Sequence, residues 1–227
     1  MPQRALIEQR PWLMASLVAG IGYYFIAESA VPDLYEWVVK GAGAGFLALY
    51  ALVRHPGRET RQIAVVMAFG ALGDVLIELS LQAGAAAFLI GHVIAINLYL
   101  RHHRAMLSPS QKLTGWAFFL LIPLIAFLLP ADRSAAPGVA LYAAGLGAMT
   151  AAAWSSTFSR YRVGIGAVMF VVSDLLIFAE LGPLSGSVLP GLLIWPLYYF
   201  GQFLICIGVV GETRGRVVAT NSVSRAL

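Results

Sequence analysis

Apolar residues along this chain come in long blocks, and polar residues gather between the blocks. Eight stretches stand out: Pro11–Ser29, Leu34–Val53, Ile63–Leu81, Gly84–Leu100, Leu113–Leu129, Gly138–Thr157, Val163–Leu181 and Val188–Val210. Each is close to the roughly 20 residues a helix needs to cross the hydrocarbon core of a bilayer. Breakers separate them at Pro32, Pro56-Gly57, Gln82 to Gly84, Pro109, Pro130, Pro137, and Gly182-Pro183 with Pro190. The runs are continuous and do not alternate as barrel strands do, and open strands cannot span lipid. The pattern therefore predicts an all-α polytopic bundle of eight transmembrane helices. The connections are short, which leaves a single transmembrane domain over residues 1–227.

Composition excludes most other classes. Hydrophobic residues make up 59% of the chain and charged residues only 11%, against about 25% charged in an ordinary soluble domain. A soluble enzyme, a nucleic-acid-binding module and a disordered chain are all ruled out. The lone cysteine, Cys206, precludes an intrachain disulfide.

The net charge of +4 is explained by where the charges fall. Numbering the compartments alternately from the N-terminus, one side receives Arg4, Arg10, Arg54, Arg58, Arg61, Arg101, Arg104, Lys112, Arg160, Arg162, Arg214, Arg216 and Arg225. The other receives only Lys40 and Arg133. Thirteen against two is a strong positive-inside signal. It predicts an integral, multi-pass membrane protein with both termini cytoplasmic, in the inner membrane if the cell is bacterial. Anionic lipid headgroups, and no nucleic acid, are the partners this charge implies. Arg4 and Arg10 before an apolar stretch and Ala27-Glu28-Ser29 loosely resemble a signal peptide. The apolar part is long for one, and the segment reads as an uncleaved first helix.

Two segments match each other. Gly73-Asp74-Val75-Leu76-Ile77 in the third stretch and Ser173-Asp174-Leu175-Leu176-Ile177 in the seventh place a small residue, an aspartate and three aliphatics in order, 100 residues apart. Both stretches run in the same direction across the membrane. The expectation is a parallel duplication of a four-helix unit, with repeats at about 11–100 and 113–210. Asp74 follows Arg61 by 13 residues and Asp174 follows Arg162 by 12. At a rise of about 1.5 Å per residue, each aspartate then lies about 18–20 Å from the inner edge, at one level.

An aspartate near the middle of a span costs about 2.5–3.5 kcal/mol on insertion scales. Two of them could simply hold helices together through hydrogen bonds, or could form a chemical or ion site. Glu78 is one turn beyond Asp74 on the same face and is either a third site carboxyl or an interfacial group. His92 is a packing group or a ligand. Tyr198 and Gln202, four apart, share a face of the eighth helix, with Tyr199 beside them. Glu28, Asp33 and Glu36 read as solvated ends. Gly41 and Gly45 form a small-xxx-small packing pair. Lys40 and Lys112 lie near helix ends, which excludes a retinal-type Schiff base. No phosphate loop, CxxC or HExxH occurs, so no metal and no cofactor is expected. His102-His103 beside Arg101 and Arg104 reads as a solvated basic cluster. Ser173 has no sequence-paired base, which argues against a serine hydrolase.

Four fragments taken together resemble the YhhN-like lysoplasmalogenase family. They are Gly73-Asp74-Val75-Leu76, Phe88-Leu89-Ile90-Gly91-His92, Gly166-Ala167-Val168-Met169-Phe170 leading to Ser173-Asp174, and Tyr198-Tyr199-Phe200-Gly201-Gln202. They occur in the family's order and span helices three to eight. The resemblance implies eight transmembrane helices and cleavage of the vinyl ether bond of 1-alkenyl lyso-glycerophospholipids. The products would be a fatty aldehyde and glycerophosphocholine or glycerophosphoethanolamine. It implies Asp74 and Asp174 as the catalytic pair. His92, Tyr198, Tyr199, Gln202 and Glu78 are the expected substrate-binding or positioning residues, of which Glu78 is not part of the family pattern. One departure is Ala95, where the family pattern places a tyrosine three residues after the histidine. Vinyl ether hydrolysis begins with proton transfer to carbon, and facing carboxyl groups in a low-dielectric site suit an acid and a charge stabiliser. The alternative is a proton-coupled carrier or lipid-binding protein using the same carboxyls.

Overall fold

A computed structural model describes residues 10–27, 29, 31–54 and 57–224, with side chains as far as Thr213. Arg4, Glu28, Pro56 and Arg225 lie outside the described residues, as do the side chains of Arg214 and Arg216. The described chain is helical: α1 Pro11–Ile26, α2 Asp33–Arg54, α3 Arg58–Leu79, α4 Leu81–Arg101, α5 Pro109–Leu128, α6 Ala136–Ser155, α7 Ile165–Glu180 and α8 Leu189–Ser224. A π-helical turn, Arg160–Gly164, leads into α7. Seven of these segments are long and apolar enough to cross a membrane, with the π turn and α7 counted as one. α1 is apolar but has only 16 residues, a rise of about 24 Å against a core of about 30 Å. The protein is a multi-pass, all-helical membrane bundle.

Several boundaries differ from the hydropathy pattern. α3 begins five residues earlier than the apolar block, at Arg58, because Arg58, Glu59, Arg61 and Gln62 extend the helix beyond the hydrophobic stretch. The break before α4 is not Gln82 to Gly84 but the single extended residue Ser80. Its Oγ accepts from the Ala83 amide at 3.4 Å, and its carbonyl accepts from the Gly84 amide. Gly84 is required at this hairpin, since a Cβ there would stand 2.7 Å from the Ile77 Cβ and 2.9 Å from its backbone nitrogen. α8 continues well past Val210, to Ser224.

Contacts divide the chain into two compact units. One comprises the residues up to Ala87 together with those from Cys206 onward, and the other is Phe88–Ile205. In the first unit α1 packs on α2 and α2 on α3. Its core holds the fully buried Leu47, Ala51, Ile63, Met67 and Val209. Gly41 and Gly45 serve internal packing, as their spacing suggested: Cβ positions there meet Val75 and Ala71 of α3. In the second unit α5 packs on α6 and α6 on α7, around Leu98, Phe158, Leu146 and Val163. The outer faces are greasy. Leu120, Leu121, Leu124 and Leu128 of α5 are all at least half exposed. A face of that kind suits lipid and not water.

The second unit is also stapled at one end. The Arg104 amide donates to the Ser155 carbonyl at 3.0 Å and the Thr157 amide to the His102 carbonyl at 2.6 Å. The Arg104 guanidinium donates to the carbonyls of Ser156 at 2.6 Å and Phe158 at 3.3 Å. The basic cluster between α4 and α5 is therefore not simply solvated. Arg104 satisfies backbone acceptors at the exit of α6, where helix carbonyls lose their intrahelical partners.

Candidate functional site

Asp174 lies in the middle of α7 and is 6% exposed. Its Oδ2 accepts a hydrogen bond of 2.6 Å from the Tyr142 hydroxyl on α6. The same hydroxyl lies 3.2 Å from Nε2 of His92 on α4. A phenol carries one proton, so when it donates to Asp174 it accepts from an Nε2–H of His92. If Asp174 carries the proton, both bonds reverse and His92 accepts. The row Asp174–Tyr142–His92 can thus hold a proton at either end without moving a heavy atom. Ala95, one turn beyond His92, is buried, and the phenol that reaches His92 comes instead from another helix.

An aromatic wall encloses this row. The Phe170 ring meets His92 edge-on at 5.2 Å and Tyr198 at 5.3 Å, and Phe88 meets Tyr198 at 5.7 Å. Tyr199 instead stacks on Trp195 at 6.0 Å. Gln202 is buried in α8. Ser173 spends its hydroxyl proton on the Ile194 carbonyl at 2.9 Å, tying α7 to α8. The bond engages Ser173 in the packing of α7 on α8.

α7 and α8 approach closely beside the site. A Cβ on Gly166 would stand 2.7 Å from the Gly201 carbonyl oxygen, and one on Gly201 would stand 2.8 Å from the Gly166 oxygen. These obstacles are backbone, so they cannot rotate away. Gly201→Ala is expected to lower stability by about 1–3 kcal/mol, the usual cost of overpacking. Thermal unfolding in detergent would reveal it, and an unchanged midpoint would mean that the helices separate without cost.

In the first unit, Asp74 of α3 is 2% exposed. Glu78, one turn further, forms an ion pair with Lys40 of α2. The Lys40 ammonium lies 5.5 Å above the Tyr23 ring, and the Tyr23 hydroxyl donates to Glu36 at 3.4 Å. Glu36 is therefore half-buried and bonded rather than a solvated end, and Glu78 is the partner of a lysine.

The sequence profile of the YhhN family matches residues 35–209, well over half of the 227-residue chain. The chain belongs to the YhhN family. This is a lysoplasmalogenase-like family associated with hydrolase activity. Comparison with curated proteins and with solved structures returned no significant match. The match begins in α2 and takes in all the residues of both polar clusters except Tyr23. It also contains Tyr142, which the sequence reading passed over. The available signal was a lone phenol in the alanine- and glycine-rich α6 of this YhhN protein.

Proposed function

We propose that this YhhN protein hydrolyses the vinyl ether bond of 1-alkenyl lyso-glycerophospholipids by carboxylic-acid chemistry. The observation that carries the reading is the Asp174–Tyr142–His92 row, a carboxyl inside a membrane span with a hydrogen-bonded path for its proton. In the reaction, a carboxylic acid gives its proton to the vinyl carbon distal to the ether oxygen. The adjacent carbon becomes an oxocarbenium ion, which the new carboxylate stabilises, as in glycoside cleavage. Water adds there and returns one proton to the carboxylate. The resulting hemiacetal collapses to a fatty aldehyde and the glycerol hydroxyl of the headgroup product. Asp174 is the proposed proton donor, with Tyr142 and His92 positioning its carboxyl. Asp74 is the proposed second carboxyl. Tyr198, Tyr199 and Gln202 are proposed to bind substrate, and Glu78, held by Lys40, to keep the Asp74 turn in place. The duplication of a four-helix unit and the cytoplasmic termini belong to the same reading, on the sequence match and the charge count.

Purified protein in detergent is expected to release aldehyde from 1-alkenyl lysophospholipids and none from the 1-alkyl analogues, which lack the protonatable double bond. Absence of turnover with every alkenyl substrate would refute the hydrolase reading. A proton-coupled carrier is the second reading, because a buried carboxyl–phenol–imidazole row also suits a proton path. Uptake into proteoliposomes without turnover would favour it.

Tyr142→Phe keeps the ring and removes the hydroxyl shared by Asp174 and His92. A hydrogen bond to a charged group contributes about 1.5–3 kcal/mol, so the expected loss is roughly 10–100-fold. The loss should fall on kcat, with KM little changed, and the pH profile should shift. A Tyr142→Phe enzyme with wild-type kcat and pH profile would remove Tyr142 from the mechanism.

A further inference from the structure

The second unit carries another concavity, of about 380 Å³, between α4, α5 and α6. That size falls within the roughly 300–1,000 Å³ of small-molecule sites. α4 lines it with Ile96 and Leu100, the connection after α4 with His103 and Leu107, and α5 with Lys112, Gly115, Trp116 and Phe119. α6 supplies the floor through Ala148, Ala151, Ala152 and Ser155. α5 and α6 each contribute residues spaced three or four apart over seven positions, which makes a slot about 10 Å long. The polar residues fall at one end: His103 just beyond α4, Lys112 of α5 and Ser155 of α6. The remainder is apolar, and its floor is alanine. Leu100, Trp116 and Phe119 are 56%, 59% and 42% exposed, so the apolar part opens on the lipid-facing surface. Among the described residues that line the slot none is acidic. The backbone staple between His102–Arg104 and Ser155–Thr157 holds the polar end in shape.

We propose that this slot binds a single-chain amphiphile with an anionic head. The carboxylate or phosphate of the head would lie against Lys112, His103 and Ser155, and the chain along the alanine floor. Charge complementarity and the one-ended polarity of the slot select this occupant over a neutral lipid, which would leave the Lys112 ammonium without a partner. The inference does not rest on the hydrolase reading, and its test needs no turnover.

The test uses the full-length protein in neutral detergent and the quenching of tryptophan fluorescence by dibromostearate. The pH is set at about 8, well above the ordinary carboxyl range. Saturable quenching is expected, with an affinity about tenfold or more above that of dibromostearate methyl ester, which has the same chain and no charge. Trp116→Phe should remove most of the saturable component. Lys112→Glu, at an exposed position, should weaken binding by about tenfold or more. Ala151→Leu should block the slot. Unbrominated oleate and oleoyl lysophosphatidate should each displace the probe, and their ranking gives the preferred head. Equal quenching by the ester, equal displacement by monooleoylglycerol, or wild-type affinity in Lys112→Glu would each overturn the proposal.

Discussion

Asp174→Asn is expected to reduce aldehyde release by about 10²–10⁴-fold, the usual loss when a general acid–base group is removed. Asn has nearly the same volume as Asp and still offers Tyr142 an oxygen acceptor. The 2.6 Å bond to the phenol can therefore persist and the helices should stay packed. What disappears is the exchangeable acid proton and the carboxylate it leaves behind. The variant should insert, elute and melt like the wild type and should retain substrate binding. Measured turnover within a few-fold of wild type would defeat the acid mechanism. A collapsed melting midpoint would instead mark Asp174 as a structural group, and a milder variant, Tyr142→Phe, then tests the chemistry on a folded background.

Asp74→Asn carries the second large expectation, again about 10²–10⁴-fold. Asp74 has its own structural context, one turn from Glu78 in the polar cluster of Lys40, Glu78, Tyr23 and Glu36. Asp74 is itself buried, so stability must be read alongside rate. Glu78→Gln is the control, because it breaks the ion pair with Lys40 and keeps Asp74. The prediction holds if Asp74→Asn abolishes turnover while Glu78→Gln lowers it only modestly at similar stability. Equal loss in both variants, tracking the melting midpoint, would assign Asp74 to the architecture of the first unit. Full activity in Asp74→Asn would leave a mechanism with one carboxyl.

The contrast between these two aspartates shows what the sequence reveals and where it stops. The membrane bundle was legible because each apolar block is long and the breakers are strong. Boundaries were less so: hydropathy sees the greasy stretch, whereas hydrogen bonding carries α3 back to Arg58 and α8 out to Ser224. Asp74, Asp174 and His92 stood out as polar groups that lipid does not tolerate alone. Their partners did not, because the pairings are non-local. Tyr142 lies 32 residues from Asp174 and 50 from His92, and Lys40 lies 38 from Glu78. Lys40 and Glu36 sit near a helix end, where a sequence pattern expects water. The fold turns them instead toward neighbouring helices. Ser173 is the converse case, since its disposal on the Ile194 carbonyl needs the crossing of α7 and α8 to be known.

Arg104 connects the history of this chain to its finished form. On the positive-inside reading its charge acts first at the membrane surface, while the helices are still being threaded and before any contact exists. In the folded protein the same guanidinium is occupied by the carbonyls of Ser156 and Phe158. On that reading, a charge that orients the chain is later consumed as a rivet. A lysine would preserve the first task, because a translocation machinery counts charge. It would fail the second, because one ammonium cannot present the planar fork that reaches both carbonyls. Evolutionary drift at this position is thus constrained twice, at two different times in the life of the protein.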